Sequence, residues 1–284
     1  MFASQGYFYH KVVWMDMDDD GLLDAVTARA TKPIIGSSNG QFLWLKQPAD
    51  SPLSSTPWEA TQLSSGHNSP DILFSACDLN DDGETEFVYA SFFTGAGLGL
   101  AYKDPSATSW TPESFHYMSI DDSIGPAFAT QVVDMNGDGR KDVLISNHVN
   151  NAAESGVWVY EAPQKPNPLN DTSLWIKHKI AGNFTVLTKG IGQAAPGAAF
   201  AYRPSISTGG KYSVIVGGDG AEGVYIITPD SEDPSDWSYT KTEVDNCHGT
   251  VGQVAVGDTN GDGFTDIFVP CYDIGELHQL TFAP

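Results

Sequence analysis

Short apolar runs alternate with polar, glycine-containing turns along the whole chain, and they recur in a fixed order. A β-rich run is followed by a second run that begins with glycine, and this pair occurs five times. The first runs read DAVTA, EFVYASFF, DVLISN, YSVIVGG and DIFVPCY, and the second read GQFLWLKQP, GLGLAYKDP, GVWVYEAP, GVYIITP and GELHQLTFAP. Short runs rich in Val, Ile, Phe and Tyr are typical of β-strands. The pattern therefore predicts an all-β fold built from repeats.

An acidic loop of constant pattern precedes four of the five first runs. It reads Asp-x-(Asp/Asn)-x-Asp-Gly-x-x-(Asp/Glu) and covers residues 16–24, 78–86, 134–142 and 258–266. The loops start 62, 56 and 124 residues apart, and the last interval is twice the first. A degenerate repeat is therefore expected between the third and fourth loops, and residues 197–220 supply its strands without an acidic loop.

Each repeat is predicted to hold four strands, named A to D. Strand A precedes the acidic loop, the two apolar runs are strands B and C, and a Pro-rich loop with a tryptophan leads to strand D. Four-stranded repeats are typical of β-propeller blades, and a β-sandwich gives no reason for one loop to recur at a fixed period. The sequence thus predicts a single β-propeller domain over residues 1–284, with five blades and the acidic loops between strands A and B. Residues 1–7 are expected to supply the fourth strand of the fifth blade, unless the chain is cut from a longer propeller.

Calcium binding explains the acidic loops. Ca²⁺ prefers six to eight oxygen ligands, and acids at alternate positions of a tight loop point towards one centre. The closing acid lies at position 9 and a strand follows it, which distinguishes these loops from the helical EF-hand. About four structural calcium ions are expected, bound by side chains and by the backbone oxygen of position 7. The predicted ligands are Asp16, Asp18, Asp20, Leu22 and Asp24; Asp78, Asn80, Asp82, Glu84 and Glu86; Asp134, Asn136, Asp138, Arg140 and Asp142; and Asp258, Asn260, Asp262, Phe264 and Asp266.

The charge of the chain restricts its partners. The formal charge is −22, from 36 acidic and 14 basic residues, so a nucleic acid or an anionic membrane surface would be repelled. No apolar stretch is long enough to predict membrane insertion, and the N-terminus lacks the pattern of a signal peptide.

Cys247 and Cys271 are hypothesised to form a disulfide, with Cys77 left as a thiol. A secreted or extracytoplasmic location is expected.

The loops and their flanking strands, GQVAVGDTNGDGFTDIFV and ATQVVDMNGDGRKDVLIS, resemble the FG-GAP/VCBS repeat family. Its members include integrin α-subunit propellers, fungal propeller lectins and sugar-active enzymes such as aldos-2-ulose dehydratase, and fungal hetero-Diels–Alderases look similar. The resemblance implies a calcium-binding propeller and assigns calcium roles to the loop side chains above. It implies no catalytic residue, and the fourth repeat departs from the calcium pattern.

In a propeller, candidate functional residues lie opposite the calcium loops. Loops between strands D and A and between strands B and C share one face, on which ligand pockets usually open. Histidines beside carboxylates suit acid–base chemistry, and the predicted catalytic residues of these loops are His67, Asp71, His148 and His248. The predicted ligand-binding residues are Arg29, Phe92, Phe93, Asn147, Lys189, Asp219 and Tyr272.

The loops on this face differ between repeats, whereas the calcium loops are uniform. Since a multivalent lectin needs near-identical pockets, the difference favours one asymmetric funnel pocket that binds and transforms a small molecule. The reaction classes are a lyase or dehydratase reaction on a sugar-like substrate and a cyclase or pericyclase reaction on an apolar intermediate. The alternative is a secreted lectin that binds a glycan, or an adhesion or interaction propeller without catalysis.

Overall fold

A computed structural model describes residues 6–33, 36–54, 56–187, 193–206 and 209–283 of the protein. Within these ranges, every regular element is a β-strand except one turn of 3-10 helix at Thr172–Leu174, which confirms the all-β class. Among the described residues, no helix is long and apolar enough to cross a membrane. The strands form five antiparallel sheets of three to five strands, and the chain divides into two compact units after Ala127.

The first unit, Met1–Ala127, contains two four-stranded sheets in which strands pair in sequence order. The first sheet consists of β1 (Tyr7–Met15), β2 (Asp24–Thr31), β3 (Asn39–Lys46) and β4 (Glu59–Gly66). The second consists of β5 (Leu73–Cys77), β6 (Glu86–Ser91), β7 (Gly97–Lys103) and β8 (Phe115–Asp121). Phe42 of the first sheet packs against Phe74 and Phe87 of the second, with ring centroids 5.0 and 4.9 Å apart. One aromatic core therefore joins these two sheets.

The second unit, Phe128–Pro284, contains three sheets. One comprises β9 (Ala127–Val133), β10 (Asp142–Val149), β11 (Gly156–Glu161), β12 (Ile176–Gly182) and the short β13 (Ala195–Pro196). The next comprises β14 (Ala199–Tyr202), β15 (Ser213–Gly217), β16 (Gly223–Pro229) and β17 (Tyr239–Asn246), and the last β18 (Ala255–Gly257), β19 (Asp266–Cys271) and β20 (Glu276–Thr281). Buried aliphatic side chains join neighbouring sheets, as Val159 of β11 and Val214 of β15 do in one cluster.

Each acidic loop lies between the first two strands of its sheet, as predicted. The degenerate repeat also forms a four-stranded sheet, β14 to β17, because its apolar strands are intact although the acids are missing. The last sheet has three strands within the described residues. Of the residues predicted to complete it, 1–5 lie outside the described ranges and Tyr7 begins β1.

A disulfide joins Cys247, which follows β17, to Cys271 at the end of β19, with the Cα atoms 5.1 Å apart. Cys77 is not part of a disulfide. Both parts of the cysteine hypothesis are therefore confirmed.

The recurring tryptophans pack in different ways. Trp110 and Trp175 are buried, which agrees with a packing role. Trp237 stacks on His178 of β12, with ring centroids 4.3 Å apart. Trp58 meets the exposed Trp14 of β1 edge-on at 6.1 Å.

Candidate functional site

The four acidic loops share one backbone conformation. The glycine at position 6 has a left-handed φ in every loop: Gly21 (+85°), Gly83 (+90°), Gly139 (+88°) and Gly263 (+85°). Position 4 is left-handed as well, at Asp19, Asp81, Gly137 and Gly261. Glycine adopts this region freely and aspartate tolerates it better than most residues. The residue types at these positions thus permit a turn tight enough to bring alternate side chains together.

The acids of each loop also hold its backbone. In the second loop, Asp78 accepts the N–H of Gly83 at 2.8 Å and the N–H of Asp82 at 2.9 Å. Asp16, Asp134 and Asp258 make the same pair of bonds in their loops. The closing acid accepts the N–H of position 2, as Glu86 does from Leu79 at 2.8 Å. Each loop is therefore ordered by its own carboxylates.

Several ligand oxygens in these loops are buried and have no hydrogen-bond partner among the described residues. They are Asp18 Oδ1, Asn80 Oδ1 and Asp266 Oδ1. A buried acceptor left unpaired costs about 1–3 kcal/mol, which a cation at the loop centre would offset. In the first loop, oxygens of Asp16, Asp18 and Asp24 lie within 4.8 Å of one another, close enough to share one ion. The spacing of these three carboxylates in the first loop is compatible with one bound cation.

The closing acids of the second and third loops have raised pKa values. Burial, together with repulsion from Asp82 and other loop acids, raises the pKa of Glu86 to about 7. Burial, together with repulsion from Asp138, Glu161 and Asp134, raises the pKa of Asp142 to about 8. A divalent cation would favour the ionised form of both carboxyls.

Lys46, which ends β3, reaches into the first loop and is not among the predicted site residues. Its Nζ donates to Asp20 Oδ2 at 2.9 Å and also bonds Asp18. Lys103 ends β7 at the corresponding place but contacts Glu84, at 3.0 Å. The matching runs LWLKQP and LAYKDP are the only sequence signal for this position.

On the predicted ligand face, the structure brings His148 and Asp219 together. His148 of β10 is 8% exposed, and its Nε2 bonds the Asp219 carboxylate in the turn between β15 and β16. Phe128 of β9, which was not predicted, stacks on the imidazole with ring centroids 5.2 Å apart. A histidine oriented by a carboxylate and an aromatic ring is suited to proton transfer.

Asp71 has a different environment from the one its predicted catalytic role requires. It is fully buried and accepts backbone N–H groups of Phe92, Phe93 and Thr94 at 3.0, 2.7 and 3.1 Å. Burial raises the pKa of its carboxyl, and these hydrogen bonds oppose that effect. The geometry therefore favours a role for Asp71 in holding the turn after β6.

Arg29 and Asn147 are also buried and engaged within their own sheets. Arg29 donates to Gln41 at 2.8 Å and to the Tyr9 hydroxyl at 2.5 Å. Asn147 donates to the carbonyl of Glu154 and accepts the N–H of Gly156, both at 2.9 Å. These contacts occupy polar atoms that ligand binding would need.

The remaining predicted residues are more accessible. His67 and His248 are exposed, and Tyr272 is 77% exposed. Phe92 and Phe93 meet edge-on at 5.0 Å, with the Lys32 ammonium 5.2 Å from the Phe93 ring. Lys189 lies outside the described residues.

Two surface hollows of the first unit adjoin the acidic loops. One, of about 360 Å³, is lined by residues that include Asp20, Lys46, Asp50, Trp58 and Glu59. The other, of about 170 Å³, is lined by residues of the first two acidic loops together with Lys103 and Trp110.

No protein-family model and no curated protein matches the sequence. Among solved structures, the chain is similar to the crystal structure of the V. cholerae biofilm matrix protein Bap1, with a TM-score of 0.42 and 16% sequence identity. The match covers 95% of this chain and 37% of that chain. A similarity at this level does not bear on function, and the FG-GAP/VCBS resemblance rests on the loops and their strands alone.

Proposed function

We propose that this chain is a calcium-stabilised β-propeller of the FG-GAP/VCBS type, with the five sheets as its blades. The pairing of strands in sequence order within each repeat supports this architecture, as does the constant place of the acidic loop. The observation that carries the calcium assignment is the unpartnered ligand oxygens, above all Asp18 Oδ1 in the first loop and Asn80 Oδ1 in the second.

Calcium would act by linking the first two strands of a sheet. Position 1 of each loop follows the first strand and position 9 begins the second, so one ion holds both strand ends. Four ions would also neutralise eight of the negative charges in a chain of formal charge −22. Both effects stabilise the folded state relative to the unfolded chain.

Calcium removal tests this proposal. A metal that binds only the folded state contributes roughly 2.7 kcal/mol per site at a hundredfold excess over its dissociation constant. Exhaustive chelation should therefore lower the melting temperature sharply, and added Ca²⁺ should restore it. Asp258→Ala should remove one bound ion, whereas Asp122→Ala, at an exposed position outside the loops, should remove none. An unchanged melt in protein shown to be metal-free would contradict the proposal.

We propose further that the loops opposite the calcium sites bind and transform a small molecule. The buried His148–Asp219 pair favours catalysis over ligand binding without catalysis, because the carboxylate orients the imidazole for proton transfer. Elimination from a sugar-like substrate needs such a base to remove a proton beside a carbonyl group. The disulfide supports secretion, since such bonds persist in oxidising compartments.

Turnover of 2-keto sugars tests this second proposal. The unsaturated product of water elimination absorbs in the ultraviolet, so a panel of aldos-2-uloses can be screened directly. His148→Gln should lower the rate about a hundredfold, because positioned proton transfer contributes that much or more. His178→Gln is the matched control, since His178 also pairs with a carboxylate, Glu161, at 2.7 Å. Glycan-array binding without turnover would favour the lectin alternative.

A further inference from the structure

The first acidic loop has one more acid at its side-chain ligand positions than each of the other three. Its position 3 is Asp18, whereas the corresponding residues are Asn80, Asn136 and Asn260. The first loop therefore has four acids at its ligand positions and each of the others has three.

One lysine, Lys46, forms an ion pair with this additional carboxylate. Lys46 Nζ bonds Asp18 Oδ2 and lies 2.9 Å from Asp20 Oδ2, so the ammonium contacts two predicted calcium ligands. The end of β3 is held against the loop by Asp24, which accepts the N–H of Gln47 at 2.7 Å and the indole N–H of Trp44 at 2.8 Å. The position of Lys46 thus follows from the pairing of β3 with β2.

The basic residues near the other loops make different contacts. Lys103 reaches the Glu84 carboxylate, although Glu84 is expected to contribute only its backbone oxygen to calcium. Arg140 contacts one ligand acid, Asp138, and half of its side chain is exposed. Lys46 thus bridges two ligand carboxylates of one loop, whereas Lys103 contacts none and Arg140 contacts one.

We infer that Lys46 gives the first loop a lower calcium affinity than the other three loops. This inference rests on the proposed calcium function. The ammonium takes up one oxygen of each of two ligand carboxylates, and its charge repels a divalent cation. Asp18 Oδ1 stays buried and without a partner among the described residues, so the loop keeps an oxygen for an ion. The first loop therefore fills last as calcium rises, and Lys46 balances its acids while calcium is absent.

A calcium titration of chelator-stripped protein, followed by calorimetry and native mass spectrometry, tests the inference. The unmodified chain should bind three ions tightly and a fourth more weakly. Lys46→Met should strengthen the weak step by about tenfold or more, because it removes a positive charge close to the ion. Lys103→Met, at the corresponding strand end, should strengthen every step by clearly less, because Lys103 contacts no carboxylate that is expected to bind calcium.

A second variant keeps the test valid if Lys46→Met does not fold. Asp18→Asn combined with Lys46→Met gives the first loop the composition of the others, and all four ions should then bind alike. Four ions of equal affinity in the unmodified chain, or a weak step unaffected by both variants, would overturn the role of Lys46 and leave calcium binding standing. Absence of calcium at every loop would overturn the proposed function together with this inference.

Discussion

His278 Nδ1 lies 2.6 Å from Asp245 Oδ2, and this contact ties β20 to β17. Glu276 Oε2 lies 3.2 Å from the other ring nitrogen. An imidazole that faces acid oxygens at both nitrogens is favoured in its charged form, in which both nitrogens donate. Hydrogen bonds with Asp245 and then Glu276 accordingly raise the pKa of His278 above its ordinary value.

The pH dependence of stability follows from this raised pKa. The stabilisation by His278 should be complete below about pH 6.5, its unfolded pKa, and should be lost as the pH rises through the higher folded pKa. His278→Gln should remove this component of the urea midpoint, whereas His248→Gln, at an exposed histidine, should not. An NMR titration of the His278 ring with a midpoint at or below about 6.5 would contradict the assignment.

Asp71→Ala should destabilise the second sheet. The substitution leaves the half-buried N–H groups of Phe92, Phe93 and Thr94 without their acceptor, and an unpaired group costs about 1–3 kcal/mol when it is fully buried. The free energy of unfolding in urea should fall by about 3 kcal/mol or more. Asp122→Ala, at an exposed loop residue, is the control. A catalytic Asp71 would instead lose activity at unchanged stability.

Gly83→Ala should cost about 1–2 kcal/mol, because a Cβ atom is disfavoured in the left-handed region. Its φ is +90° and an added Cβ would meet no atom within 4 Å, so the cost arises in the backbone alone. Gly257→Ala is the matched control, since an added Cβ there also meets nothing and its φ is not left-handed. Chemical denaturation of both variants without calcium separates the backbone effect from metal binding. Equal stabilities would show that the loop does not need glycine.

Reduction of the disulfide should lower the free energy of unfolding by roughly 3 kcal/mol, the chain-entropy value for a loop of this length. Cys77→Ala should leave this effect of reduction intact, because Cys77 is not bonded to either half-cystine. Thiol counting by intact mass should find one reactive thiol before reduction and three afterwards. Three thiols in unreduced protein would refute the pairing.

Features that depend on nearby residues could be predicted from the sequence. Asp78 and Gly83 lie within one nine-residue motif, so the acidic loop and its place between β5 and β6 follow from local geometry. The strands were equally predictable, because apolar runs and glycine turns alternate along the chain.

Features that depend on pairing between distant segments were not predictable. Lys46 contacts Asp18 only because β3 pairs with β2, and the recurrence of its run around Lys103 does not reveal which residues the lysine contacts. His148 and Asp219 were each predicted on the ligand face, but their contact spans 71 residues. Asp71 was predicted from its loop position, which does not reveal that the backbone after β6 uses its carboxylate.

The link between Cys247 and Cys271 also governs how the second unit would respond to a pulling force. It encloses a segment with a sequence separation of 24 that contains β18, the last acidic loop and β19. A fully stretched chain spans about 3.4 Å per residue. The segment closed by the disulfide therefore cannot contribute its roughly 80 Å to the length of the stretched chain until the bond is reduced. Tension along the backbone passes through the two sulfur atoms instead of this hairpin. The last acidic loop is thereby shielded from mechanical load along the chain.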